Sequence, residues 1–441
     1  MDAPTTSKSQ QLVIFNNDFP DSDNWAAALT QALQARKTNT HVVFILEARQ
    51  VSLVSYLSSK EQDALLKAIQ KASGQSHGDA FKALLNGFPG DYRDYTREWD
   101  LKLLSREERK LLRKIEKPAY DPESDAVLHA KLVAYDFASF LTERLSDYGH
   151  EGTDGASRFN IELLIDSGCL QSIENPVNLN VHHRDDIFGR NHSELESFEE
   201  ATEMEGEDKK KAIQDYYVES IERKVIELKD SAVTVKLLDR KDLYKRIEAA
   251  KSVHWFGGCS LTLLQDVHKA GLAPKLNCCV QAVSAGLSDM DAAEYVFKRH
   301  VEFADFIVVP THSAQAITYS VSDLVALGGD DLEQRILGFN FHKDPIEITR
   351  QFMALKTKTN GKRIKKPDHH DKRIKMPDLS ALLCMIAPGR HAGKMKNVKV
   401  KNLENKEKPL LFEISGSPSD MKVYDLEKRT ESSHILELVG S

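Results

Sequence analysis

The sequence predicts an α/β fold, a mostly parallel sheet covered by helices. Short apolar runs recur along the chain, at Leu12–Phe15, His41–Leu46, Ile161–Ile165, Ala232–Leu237, Val253–Phe256, Asn277–Val283 and Phe306–Pro310. Amphipathic stretches of helical period separate many of them. The first run ends in an acidic turn that passes into a helix, and open α/β sheets place their ligands at such carboxyl ends of strands. Right-handed crossovers then stack these units into one doubly wound layer.

Taken in order, Leu12–Phe15 is the first strand and Ser22–Arg36 the helix that returns from it. His41–Leu46 follows, and then Gln50–Glu116 reads as helical, with the charged stretch Lys102–Lys110 as a surface helix at one end of the sheet. Ser124–Leu145 sets Ala126, Ala130, Val133, Phe137, Phe140 and Leu141 on one helix face. Glu194–Asp208 is rich in Glu and poor in apolar residues, which reads as a mobile loop. Lys209–Leu228 returns to helical period, and Cys259–Lys269, Ala292–Phe303 and Ala314–Leu327 read as later helices. The domain expected from this pattern spans residues 10–393, and residues 394–441, with short runs at Val398–Val400 and Leu410–Ile414, read as a small appended hairpin unit. Lys362–Asp368 is nearly repeated by Lys372–Asp378, a local duplication too short for a repeat architecture.

Composition narrows the function. The chain has 441 residues, 41% hydrophobic and 29% charged, as ordinary globular proteins do. Its formal charge of -7 argues against a nucleic-acid partner. The basic runs Lys209–Lys211 and Lys362–Lys366 read as local solvated surface. The five cysteines, at 169, 259, 278, 279 and 384, show no zinc spacing and suggest a reducing compartment. The polar first residues carry no apolar signal core, and no apolar run is long enough for a bilayer, so no membrane partner and a cytoplasmic location are expected. There is no P-loop, no Gly-x-Gly-x-x-Gly and no Gly-x-Ser-x-Gly elbow.

The chemistry-bearing stretch is Val13-Ile14-Phe15-Asn16-Asn17-Asp18-Phe19-Pro20-Asp21-Ser22-Asp23-Asn24. Asp18, Asp21 and Asp23 crowd oxygen ligands into one turn, the kind of cluster that binds hard cations such as calcium. An Asp or Asn at a strand–helix turn also serves as an ordinary cap, the better reading for Asp21 and Ser22. The segment resembles the N-terminal aspartate motif of the inosine/uridine-preferring nucleoside hydrolase family, where a strand ends in Asp-Thr-Asp-x-Gly-x-Asp-Asp. Asn16 stands at the first acid and Asn24 at the last, Asp18 and Asp23 match the two between, and the turn has one extra residue.

Three later segments resemble the family in the same order. Val253–Leu264 resembles the strand leading to Gly-Pro-Leu-Thr-Asn-Leu-Ala, and its Gly257-Gly258 pair before a helix start offers amides that can hold an anion or polar group, although a packing turn is the more common explanation. Leu276–Gly286 resembles the strand into Val-Met-Gly-Gly, and Asp289–Phe297 an Asp-Pro-Glu-Ala-Ala helix, with the ribose-contacting loop between them nearly absent. Lys375–Leu383 resembles the late His-Asp-Pro-Leu-Ala motif, with Asp378 at the acid and Pro377 at the histidine. His342–Glu347 is a competing placement for that motif; Asp378 is preferred because an apolar helix follows it directly.

The resemblance implies N-glycosyl hydrolysis of a nucleoside or related ribosyl compound. It implies a Ca2+ shell of Asn16, Asp18, Asp23, Asn24 and Asp378, with Asp23 as the catalytic base. Asn16 cannot be that base, because an amide accepts no proton at neutral pH, whereas Asp18 or Asp21 could replace Asp23. Each Asp-to-Asn exchange also removes a charge from the shell and weakens cation affinity. The alternative is a non-catalytic protein of the same fold that binds a ligand or partner. Family members often form dimers or tetramers, and a homo-oligomer fits that habit. Two histidine features carry less weight: His182-His183-Arg184-Asp185-Asp186 reads as a surface loop, and His312, after a strong strand, lies at the same sheet end as the acidic turn.

Overall fold

A computed structural model describes residues 11–18, 22–38, 40–48, 57–76, 80, 99–116, 122–147, 161–168, 198, 200–229, 231, 233–282, 289–314, 318–320, 373–375, 377–386, 395–401, 411–415 and 417–424. The strands are β1 (Leu12–Asn17), β2 (His41–Glu47), β3 (Ile161–Asp166), β4 (Val233–Leu237), β5 (Val253–Gly257), β6 (Leu276–Ala282), β7 (Asp305–Pro310), β8 (Thr318–Ser320), β9 (Arg373–Lys375), β10 (Met395–Lys401), β11 (Leu411–Ser415) and β12 (Met421–Tyr424). The helices are α1 (Ser22–Thr38), α2 (Ser59–Ser73), α3 (Arg106–Glu116), α4 (Pro122–Asp147), α5 (Gly206–Glu227), α6 (Arg240–Ala249), α7 (Thr262–Lys269), α8 (Met290–Lys298), α9 (Thr311–Ala314) and α10 (Pro377–Ile386).

The seven expected strands are all present, within a residue or two of their expected ends. They form most of a ten-stranded sheet in the order β11-β10-β12-β7-β6-β5-β1-β2-β3-β4. From β12 through β4 every neighbouring pair is parallel, and only β10 runs antiparallel to its two partners. The chain builds outward from β1 through β2, β3 and β4, then returns to the other side of β1 with β5. The boundary between β1 and β5 is therefore the topological switch point, where the crevice of a doubly wound sheet opens.

Both faces of the sheet are covered, so its central strands are apolar on both sides. Val13 and Phe15, Val42 and Phe44, and Phe256 belong to one buried cluster with residues of α1, α4 and α10. Leu12 and Ile14, Val43 and Ile45, and Trp255 belong to the other with residues of α6, α7 and α8. Phe15 is fully buried and stacks on Phe256 at 4.8 Å between centroids. Smaller clusters join α2 to α3 and α4 to α5.

Three expectations change. The stretch Ala314–Leu327, read as a helix, contains β8, because Thr318-Tyr319-Ser320 pairs antiparallel with Arg373-Ile374-Lys375; residues 315–317 and 321–327 lie outside the described part. The acidic stretch read as a mobile loop is helical at residues 200–203, and α5 already begins at Gly206. Phe198 and Ala201 pull it down onto Tyr216 and Tyr217 of α5, so a few apolar anchors outweigh the acidic composition. Finally, β10, β11 and β12 do not stand apart: β12 lies parallel beside β7 and continues the main sheet. Among the described residues no helix is long and apolar enough to cross a membrane.

Candidate functional site

The site begins where β1 leaves the sheet at its switch point. Strand alternation sends Asn16 and Asn17 to opposite faces. Both are buried, at 3% and 0% exposure. Asn17 Oδ1 accepts the backbone N–H of the next residue, Asp18, at 2.7 Å. The same bond fixes the orientation of the Asn17 amide, leaving Nδ2 as its outward donor. Asp18 Oδ1 accepts Nδ2 of Asn24, in the first turn of α1, at 3.0 Å. Asp18 and Asn24 are thus bound across the turn that the sequence marks as acidic.

Next door, the N–H of Gly258, just past β5, donates to the carbonyl of Asn16 at 2.9 Å and extends the β1–β5 ladder by one bond. A β-carbon on Gly258 would lie 2.5 Å from Asp378 Oδ1 and 2.9 Å from both Cγ and Nδ2 of Asn17. Glycine is required there because two polar side chains already fill the space of a methyl group. Asp378 sits in the first turn of α10, where the helix dipole favours a carboxylate. Pro377 opens this helix with the fixed φ of a first-turn residue, and the buried Leu379, Ala381, Leu382 and Leu383 seat it on the sheet. The start of the chain and residue 378, remote in sequence, thus meet at one rim.

Asn16 Oδ1 and Asn17 Nδ2 are buried with no hydrogen-bond partner among the described residues. Buried polar atoms are seldom left so, and those that are point to water, an ion or a ligand. Asp18, Asp378, Asn16 and Asn24 all carry oxygens of the kind a hard cation takes, with Asn16 reaching the sheet edge from the face opposite Asn17. Among the described residues no three His, Cys, Asp or Glu side chains gather in a metal-sized group, so amide oxygens would have to complete any shell. Asp23 is the second residue of α1, and its backbone stands one residue before Asn24; its side chain lies outside the described part. So do Asp21, the side chain of His312, the His182–Asp186 and His342–Glu347 stretches, and the basic run at 362–366.

A second polar layer borders the same carboxyl edge, and the sequence reading missed it. Glu47 and Asp166 end β2 and β3 as direct register partners, 4% and 3% exposed. Arg240 Nη2 donates to Asp166 Oδ1 at 3.1 Å and its other amine pairs with Asp266, while Gly168 N–H donates to Asp166 at 2.9 Å. Burial, with a smaller push from Glu47, raises the Asp166 pKa above the usual carboxylate value despite Arg240 and Gly168. Glu47 accepts the N–H of Ser260 at 3.0 Å. The amide of the second residue after the Gly-Gly pair therefore serves an internal carboxylate and is not open to an outside anion. Thr262 Oγ1 donates to Asp289 Oδ2 at 2.6 Å, tying the start of α7 to the cap of α8. The available signal was simple: apolar runs ending in Glu47 and Asp166 share the signature of β1, a strand that stops at a polar residue on the ligand edge.

No family model matches the chain, and no curated protein does. Among solved structures it overlaps a plant nucleoside hydrolase, the PpNRh1 enzyme, at a TM-score of 0.44 and 11% identity, over 98% of both chains. It overlaps the effector protein XOO4466 at 0.44 and 6% identity, over 98% of this chain and 91% of that one. Superposition this loose says nothing of the chemistry.

Proposed function

We propose that the protein binds a nucleoside or related ribosyl compound at the β1–β5 switch point and hydrolyses its N-glycosidic bond. The observation that supports this reading is the meeting of Asn17, Gly258 and Asp378, which joins the ends of β1 and β5 to the start of α10 in a polar rim. Such a rim lies where doubly wound sheets take small molecules. N-glycosidic cleavage passes through an oxocarbenium-like sugar and needs an attacking water, negative charge near the sugar, and a proton for the leaving base. Asp23 is the proposed base that takes the proton from water. Asp18 and Asp378, with the amide oxygens of Asn16 and Asn24, would hold Ca2+, which when bound anchors hydroxyls and makes water more acidic. Two carboxylates close to the sugar also favour the positive charge that develops there.

Calcium titration by calorimetry, run beside a nucleoside panel scored for free reducing sugar, tests the reading. Calcium binding with turnover, and loss of turnover in Asp23→Ala, is the expected result. Absence of both would remove the hydrolase reading. One observation favours a second reading, that of a non-catalytic binder. Two shell positions are neutral amides, and the Asn24 amide is engaged with Asp18. Nucleoside binding without release of reducing sugar would decide for it.

A further inference from the structure

We infer that Asn17 is the positioning residue of this site, holding Asp18 on one side and facing Asp378 on the other, so that its single amide sets how strongly the rim binds a cation. The inference rests on the cation-binding part of the proposed function. Asn17 is fully buried at the end of β1, yet its side chain is polar. Its oxygen is spent on the backbone of Asp18 at 2.7 Å. Its Nδ2, without a partner among the described residues, and Asp378 Oδ1 occupy the open side of Gly258, 2.9 and 2.5 Å from the same point. An amide donor beside a carboxylate offsets part of its charge and competes with a cation for it. The same position filled by a carboxylate would keep the acceptor for the Asp18 N–H and replace the donor with negative charge. Gly258 is the second half of the device, since any β-carbon there would push Asn17 and Asp378 apart.

The two substitutions therefore act in opposite directions on the same measurement. Asn17→Asp should tighten calcium binding by about tenfold or more, because ligand charge count sets cation affinity. It should also lower the melting temperature in calcium-free buffer, since two carboxylates then face each other. Gly258→Ala should weaken calcium binding by about tenfold or more in either background. Both are read by calorimetry with calcium chloride and by melting with and without calcium, on the full chain. A residue that only supports the fold would weaken binding in both variants and would not reverse the sign. Asn17→Asp binding calcium no more tightly than the native chain overturns the inference. Tighter binding supports it, even where the native chain binds too weakly to measure, an outcome that counts against the calcium shell of the proposed function alone. If Asn17→Asp does not fold even with calcium, Asn17→Ser, which removes the amide donor, decides: calcium affinity equal to or weaker than that of the native chain overturns the inference, and tighter affinity supports it.

Discussion

Removing Arg240 should cost more at neutral pH than in mild acid. Arg240→Met keeps much of the side-chain length and deletes the charge that faces Asp166. Asp166 has 3% exposure and stands in register with Glu47, so the variant leaves two buried carboxylates side by side. Breaking a buried ion pair from one side costs about 3–5 kcal/mol when the remaining charge is uncompensated. Gly168 N–H still serves Asp166, which places the expected loss near the lower end, about 3 kcal/mol. Protonation limits it further. The folded pKa of Asp166 is raised by burial first and by Glu47 second. A raised acid favours the fold below its unfolded value of about 3.9, and that contribution disappears as pH climbs through the folded value. Deleting Arg240 raises the folded value again, so the deficit widens with pH. Urea melts of both proteins at about pH 5 and about pH 7.5 should show the larger difference at the higher pH. Asp166→Asn combined with Arg240→Met should recover much of the loss. Equal losses at the two pH values, or a double variant as weak as the sum of its parts, would refute the electrostatic reasoning.

Other perturbations follow from the same geometry. Phe15→Ala removes the ring stacked on Phe256 and should cost about 3–5 kcal/mol in denaturant melts, with loss of near-ultraviolet dichroism. Ser58→Ala breaks the reciprocal cap of α2, in which Ser58 and Glu61 serve each other's backbone, and should cost about 1 kcal/mol. Glu162 keeps a lowered pKa because Arg246 and Lys236 together outweigh its burial, the largest effect and an opposing one. Its contribution is therefore full above the unfolded value of about 4.3 and fades as pH falls through the folded one, so Glu162→Gln should destabilise at pH 7 and the difference should shrink as the pH is lowered. Asp378→Asn should reduce calcium affinity in calorimetry while leaving the melt of the calcium-free protein little changed or raised, the carboxylate being the costly group to bury.

The strands were legible because a sheet buried on both faces writes itself as β-branched and aromatic runs, as in Val42-Val43-Phe44-Ile45. A helix start was legible where a polar turn passes into an apolar stretch, as at Ser22 in α1. Pairing between distant segments was not. Nothing local in Met421-Lys422-Val423-Tyr424 says that it will lie beside β7, and the three residues of β8 are too few to show a period. At the site, the acidic turn marked Asp18 and the resemblance of Lys375–Leu383 marked Asp378, but nothing singled out Asn17. Its importance comes from a glycine 241 positions later, a relation carried by the fold alone.

The place of β12 has a consequence for biosynthesis. The segment Met421–Tyr424 follows all the other described elements in translation, yet it sits inside the sheet, between β10 and β7. Until it emerges from the ribosome, the outer rim of β7 has unsatisfied amides and carbonyls, a surface that invites pairing with another nascent chain. Holding factors that shield that rim during synthesis should therefore raise the yield of soluble product, and truncations ending before Met421 should aggregate even with the ligand-edge residues intact.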